Sequence, residues 1–457
     1  MPTSPTPTLP TAQQAGGEAV HTGVTSGLDT EARLQNLLAD HQFPRIAAQL
    51  DQLPPEQAQF YRGILANRNN DLKTSIELLE PLVDKVSDSP SQEKLLRKTL
   101  AEDYLRIGDL AKANRAYQTL ETRLQAKLTP DEQDELELPV KLLPLAAANP
   151  AMTVEPYEPF WLQVTRNPLG LTDLPVYVDA RPHAWMLDPT APFNLIARSL
   201  AKEAGLKVSE ESATIRSLTG RPIQVHMTVI PRFTIGGRIT FRNMTAFVFE
   251  DADYAFAKSH YQVEGVLGYP AASALGSLTI TSDATIEVQP FKSPAPEANS
   301  DHPVPGARFF LDGDQIIVAL RHSSGGEAGA SDSKQSKSPG EDRMFVLDAS
   351  GQHTYLTSRY YDEHTADFAG QKMEMFSLAN SPGTEAQPAF TAETVPLAFG
   401  PTTAEVHYLR VLTQPLGSAV LDDVYGLLGV DVLDQLQSYT FDYRTMTFSV
   451  KAVDSAQ

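Results

Sequence analysis

Two stretches of this chain echo each other at one fixed offset, and that echo restricts the available folds more than any other feature. Trp185-Met186-Leu187-Asp188-Pro189-Thr190-Ala191 is an apolar run, one aspartate, then small residues. Met344-Phe345-Val346-Leu347-Asp348-Ala349-Ser350-Gly351 repeats the pattern, with Asp348 lying 160 residues after Asp188. A second pair, Gly265-Val266-Leu267-Gly268 and Gly426-Leu427-Leu428-Gly429, is 161 residues apart. Two independent features at nearly one spacing argue for an internal duplication. The C-terminal two-thirds therefore reads as two similar all-β lobes related by a pseudo-two-fold axis, each presenting one aspartate at the end of a buried strand.

The rest of the chain must fit around that pair. At about 150 residues per domain, 457 residues suggest roughly three domains. A net charge of −20 argues against nucleic acid or an anionic membrane as partner. With no cysteine, disulfides, thiolate nucleophiles and Cys-based zinc sites are excluded. No run approaches about 18 apolar residues, so no membrane span is expected. Residues 1–28, rich in Pro, Thr, Gly and Ala, read as a disordered tail. They show no signal peptide as written, and suit either a cytoplasmic tail or an export linker whose signal has been removed. Compartment stays open, with an extracytoplasmic site as the second case.

Residues 29–149 carry a helical pattern. Gly63, Ala66, Asn70, Leu72, Ser75, Leu79 and Leu82 recur 38 residues later as Ala101, Tyr104, Gly108, Leu110, Ala113, Tyr117 and Leu120. Small residues let paired helices approach, a Gly or Asn-Asp turn separates them, and a large apolar residue fills the next gap. The expected hairpins are 62–69 with 72–83 and 94–107 with 110–124, flanked by capping helices near 31–51 and 131–146. This spacing resembles the tetratricopeptide repeat. The resemblance implies a groove for a partner segment; a purely structural role is the other reading.

After Pro150 the pattern turns to short strands. Residues 150–290 read as lobe one, 291–305 as a Pro/Ser/Asp linker, and 306–453 as lobe two with a flexible insertion at about 322–343. A helix is expected over 195–204 and another over 355–361. Asp312-Gly313-Asp314 reads as a β-turn, since it lacks the spaced ligands of a calcium loop.

Two strand-end aspartates on duplicated lobes can meet across the axis. Held about 3 Å apart they cannot both ionise, so one keeps its proton at moderately acidic pH. The ionised partner can take a proton from a bound water while the other donates to the carbonyl under attack. That chemistry needs no metal and no cofactor, and none is expected. The ten histidines form no His-Glu-x-x-His pair, and neither a Walker lysine motif nor a Gly-x-Ser-x-Gly elbow is present.

Residues 160–290, and more loosely 306–452, resemble the retropepsin-like aspartic protease family in its bacterial, two-lobed form. The match rests on Asn167-Pro168-Leu169-Gly170-Leu171 before the strand at 175–178, on Asp188 and Asp348, on Asn194-Leu195-Ile196, and on Gly265, Gly268, Gly426 and Gly429. The resemblance implies an Asp188/Asp348 dyad, supporting ψ-loop glycines at those four positions, and a flap near Ser217, Thr219 and Gly220. It implies a protein or peptide substrate bound extended between the lobes, and no need of a homodimer to build the cleft.

Where the family has Asp-Thr-Gly, lobe one reads Asp188-Pro189-Thr190 and lobe two Asp348-Ala349-Ser350. Pro189 and Ala349 have no hydroxyl to tie the loops together, and Pro189 also lacks an N–H. Turns shifted by one residue, using Thr190 before Ala191 on one side and Gly351 on the other, are the route to recovery, and two shifts are a heavier demand than one. Two function classes follow. One is an aspartic-type peptidase; the other is a non-catalytic pseudoprotease that binds extended peptide by strand addition and uses its helices as a scaffold.

Overall fold

The computed structural model describes residues 22–86, 89–216, 222–256, 259–291, 306–322, 342–376, 386–416 and 421–452. The flap positions Ser217, Thr219 and Gly220, most of the linker at 291–305 and most of the insertion at 322–343 lie outside them.

Helices come first, Thr22–Ala39, Phe43–Ala47, Pro55–Arg68, Leu72–Leu79, Pro90–Arg106, Leu110–Leu124 and Pro130–Ala147. The 38-residue echo is visible in the caps. Asp71 accepts from the Thr74 N–H (3.3 Å) and Asp109 from the Lys112 N–H (3.0 Å), so each second helix of a hairpin starts on an aspartate. Gly63 shows why the first hairpin needs a small residue, because a Cβ there would fall 2.5 Å from Leu79 Cγ. The first helix begins at Thr22, inside the stretch whose composition reads as a disordered tail to residue 28. Once Leu34 is packed, extending a helix is cheaper than starting one.

Two β-rich lobes follow and repeat one strand order. In lobe one Ile239–Phe249, Leu195–Ala197, Gly265–Leu267, Arg181–Leu187 and Thr172–Val178 are neighbours in that sequence. In lobe two the corresponding run is Thr402–Leu412, Tyr355–Leu356, Gly426–Leu428, Asp342–Leu347 and Gln315–His322. Between the lobes runs a shared sheet ordered Ala307–Asp312, Thr447–Ala452, Leu436–Asp442, Ser277–Thr281, Thr285–Gln289 and Phe160–Gln163. At its centre Thr279 lies opposite Thr440, their hydroxyls 2.8 Å apart. These residues are themselves 161 positions apart, the same spacing as the echo in the sequence.

Two helix expectations change. Leu195–Ala197 is a buried strand and the helix starts only at Arg198, ending at Glu203. Likewise Tyr355–Leu356 is a strand and the helix is Ser358–His364. In both places the glycine strand pairs with the first residues and captures them into a ladder. Tertiary pairing has overridden a local helical pattern.

Asp312-Gly313-Asp314 is a hairpin turn with Gly313 at φ +55°, but Asp312 also anchors the helices. Its carboxylate meets His41 Nδ1 at 2.7 Å and Arg68 Nη2 at 2.8 Å, while Phe43 packs on Phe310 with ring centroids 5.0 Å apart. Arg359 adds an ion pair to Asp40 (2.7 Å), and Glu137 accepts the Thr214 N–H of the lobe-one edge strand Ser212–Arg216 (3.0 Å). The helices thus brace both lobes, and the face bearing His41, Phe43 and Arg68 is covered by the chain itself. Burial would raise the Asp312 carboxyl, but the Arg68 charge and the His41 contact overcome it and hold it at about 2. The stability it contributes is present above its ordinary value of 3.8 and is lost as pH falls through about 2. Arg68→Met, which leaves the half-buried Asp312 carboxylate with His41 as its remaining partner, should lower unfolding free energy by about 1.5–3 kcal/mol in urea titrations. The Arg68→Met, Asp312→Leu double variant should recover most of that, and an equal loss in both would refute the brace. No helix among the described residues is long and apolar enough to cross a membrane.

Candidate active site

Each aspartate is delivered by a parallel strand pair. Arg181–Leu187 runs beside Gly265–Leu267, with Leu187 opposite Leu267, and the Asp188 N–H continues the ladder by donating to the Leu267 carbonyl (3.0 Å). In lobe two Leu347 lies opposite Leu428 and the Asp348 N–H donates to the Leu428 carbonyl, also at 3.0 Å. Both faces of these strand ends are buried, so a slip of one residue would exchange large and small side chains between two packed faces and carry the aspartate off the strand end.

The loops then turn back onto the carboxylates. Asp188 Oδ1 accepts from the Thr190 N–H (3.0 Å), the Ala191 N–H (3.0 Å) and the Thr190 hydroxyl (2.6 Å). Asp348 Oδ1 accepts from the Ser350 N–H (3.1 Å), the Gly351 N–H (2.8 Å) and the Ser350 hydroxyl (3.1 Å). In each loop the residues two and three positions after the aspartate close a turn over it, and each Oδ1 has three donors. Gly351 is required by proximity, since a Cβ there would fall 2.5 Å from Asp348 Oδ2.

The loops are joined across the axis on one side only. Thr190 Oγ1, which donates to Asp188, accepts the Ala349 N–H at 3.0 Å. The mirror bond would need an N–H at Pro189, which has none. The hydroxyl tie that Pro189 and Ala349 cannot supply thus reappears one residue later in lobe one, while Ser350 serves only its own aspartate.

Behind the loops sits a support that the sequence reading did not assign. Asn194 and Thr354 each lie six residues after their aspartate. Asn194 Oδ1 accepts the Gly268 N–H (3.0 Å) and its Nδ2 donates to the Thr245 carbonyl (3.1 Å). Thr354 Oγ1 accepts the Gly429 N–H (2.8 Å) and donates to Asp431 (2.6 Å), which also takes the Thr354 N–H. Asp431 therefore holds Thr354 in place from both its N–H and its hydroxyl. Gly268 and Gly429 must be bare, since a Cβ at Gly268 would stand 2.1 Å from the Phe193 carbonyl oxygen and one at Gly429 2.6 Å from that of Gly351. Gly265 and Gly426 open the supporting strands, opposite Ile196 and Phe345. The signal for Asn194 and Thr354 was the 160-residue echo itself, extended past the aspartates to a polar residue at matching distance.

Asp188 is 5% exposed and Asp348 somewhat more open. Burial pushes the Asp348 carboxyl up, the nearby Asp188 charge pushes it further, and the Ser350 and Gly351 donors pull it back only in part. Raised in this way, Asp348 is suited to hold a proton beside an ionised neighbour. His353 is exposed, its ring 5.8 Å from that of Phe376. Among the described residues no group of three or more His, Cys, Asp or Glu is placed to hold a metal ion.

The aspartyl protease family matches this chain over residues 174–271, from the strand before Asp188 to just beyond Gly268. Among solved structures the chain is similar to basic 7S globulin from soybean, at 13% identity and a TM-score of 0.38, covering 65% of this chain and 95% of that one. Conglutin gamma, a basic 7S globulin from lupine seeds, gives 11% and 0.39, covering 65% and 96%. Aspartic proteinase from Irpex lacteus gives 10% and 0.37, covering 65% and 98%. No curated protein matches. With that family match lying on the strand and loop that carry Asp188, the region after the helices has an aspartic-protease-like fold.

Proposed function

We propose that the chain is an aspartic-type peptidase in which Asp188 and Asp348 share one proton and activate a water against a peptide bond held extended between the lobes. The observation that carries this reading is the turn closed over each aspartate, with three donors on each Oδ1 and Thr190 joined to Ala349. Fixing Oδ1 on both sides leaves the Oδ2 pair to hold water and proton, which supports the positioning that the reaction needs. Asp348, with its raised affinity for the proton, is the acid and donates to the carbonyl oxygen. Asp188 is the base that takes the proton from water.

The test is cleavage of a denatured protein or a diverse peptide library between about pH 3 and 7, the span a shared-proton pair serves. The rate falls as pH rises through the Asp348 pKa, because above it both carboxylates are ionised and no acid remains. Since that pKa is raised, the falling limb should lie above the ordinary aspartate value of 3.8. Ser350→Ala removes a donor that lowers it and should move the limb further up in pH. A limb that moves down, or does not move, would count against Asp348 as the acid. Peptide captured but never cleaved at any pH would instead favour the non-catalytic reading, to which Pro189 lends its missing N–H.

A further inference from the structure

Pro189 leaves one half of the cross-axis tie unmade, and a second connection lies four residues from the other aspartate. Gln352, in the Asp348 loop, donates its Nε2 to the Leu169 carbonyl of lobe one at 3.0 Å. Leu169 belongs to a loop that buried side chains hold in place. Asn167 Oδ1 accepts the N–H groups of Leu169 (2.9 Å) and Leu171 (3.0 Å), and Gly170 takes φ +81° to close the turn. Asn167 Nδ2 donates to the buried Asp173 carboxylate (2.9 Å), which also accepts the Tyr261 hydroxyl (2.9 Å). Arg166 reaches across the lobes at the loop's start, meeting Asp434 at 2.6 Å.

The arrangement is one-sided. Thr172–Val178 follows this loop and leads to the strand before Asp188; in lobe two Gln315–His322 stands in the same relation to Asp348. The turn that precedes Gln315 is Asp312-Gly313-Asp314, and its Asp312 is committed to His41 and Arg68 of the helices rather than to lobe one.

We propose that Gln352 is a positioning residue of the aspartate pair, replacing through the Asn167 loop the cross-lobe bond that Pro189 cannot make. The inference rests on the peptidase reading only for its kinetic consequences. Gln352 touches no reacting atom. It fixes the far end of the Asp348 loop against lobe one, as Thr190 fixes the near end through Ala349.

Gln352→Met keeps the side-chain length and removes the donor, whereas Arg166→Met removes the ion pair to Asp434 and the exposed Arg166 Nη1 bond to the Gly170 carbonyl (3.1 Å) but leaves Gln352 on Leu169. In the full chain, hydrogen exchange of the segment 345–352 should speed up by about five- to tenfold in Gln352→Met, the factor one net hydrogen bond controls. It should stay within about twofold of the parent in Arg166→Met, whose partly exposed ion pair carries little. For a cleaved peptide, kcat should fall by about tenfold in Gln352→Met with KM unchanged, since positioning acts on the transition state. Parental exchange and kcat in Gln352→Met would overturn the proposal, and so would an equal effect of Arg166→Met, which would mean general loosening of the lobes. A parent that cleaves nothing would remove the peptidase reading, while the exchange comparison would still decide the role of Gln352.

Discussion

Asp188→Asn and Asp348→Asn are each expected to lower kcat/KM on a cleaved peptide by about a thousandfold or more, within the range for removing a positioned acid or base. Neither change alters shape, and the asparagine oxygen can still accept the donors that now reach Oδ1, so the loops should keep their course. The Asp348 variant should nonetheless change stability in a pH-dependent way. Ionised Asp348 is disfavoured in the folded chain by burial and by the Asp188 charge. Because its folded pKa is raised, its cost to folding is absent below the ordinary value and grows as pH rises through the shifted one. Asp348→Asn should therefore melt at or above the parental temperature at pH 7. Single-variant kinetics and thermal melts at pH 4.5 and 7 check both statements, and either variant cleaving at the parental rate would remove the dyad assignment.

What could be read from the sequence was set by periodicity, and what could not was set by contacts between distant segments. The echo between 185–191 and 344–351 marks the two strands that deliver the aspartates, because buried strand ends leave an apolar-then-small pattern. It also held Asn194 and Thr354 at equal distance, but without coordinates nothing says that an Asn and a Thr perform one task, accepting a glycine N–H. The pattern at 195–197 and 355–356 suits a helix as well as a strand, and the deciding partner lies about 70 residues away. The function of Asp312 was hidden for the same reason, as its partners His41 and Arg68 lie in another part of the chain altogether. The bonds on the two aspartates belong to turn positions, and a turn can move by one residue while a letter cannot.

Thr190 gives that last point its sharpest test. Its hydroxyl holds Asp188 at 2.6 Å and receives the Ala349 N–H at 3.0 Å, so one oxygen serves both the base and the tie between lobes. Thr190→Val keeps the volume and removes both bonds. At about 1.5–3 kcal/mol for a hydrogen bond to a charged group, and less for the neutral one, the variant should lose about a hundredfold or more in kcat. Thr190→Ser, which keeps the oxygen, should stay within about fivefold, the scale of a net neutral hydrogen bond. The decisive case is Thr190→Gly. It brings the motif a letter closer to Asp-Thr-Gly yet removes the hydroxyl that joins Asp188 to the Ala349 N–H, so it should be as poor as Thr190→Val. Changing Pro189→Thr together with Thr190→Gly should recover activity, because the hydroxyl returns at the neighbouring position and residue 189 regains an N–H for the opposite loop. If Thr190→Gly alone matches the parent, the shifted tie is incidental and the pair is held by the backbone donors of each loop.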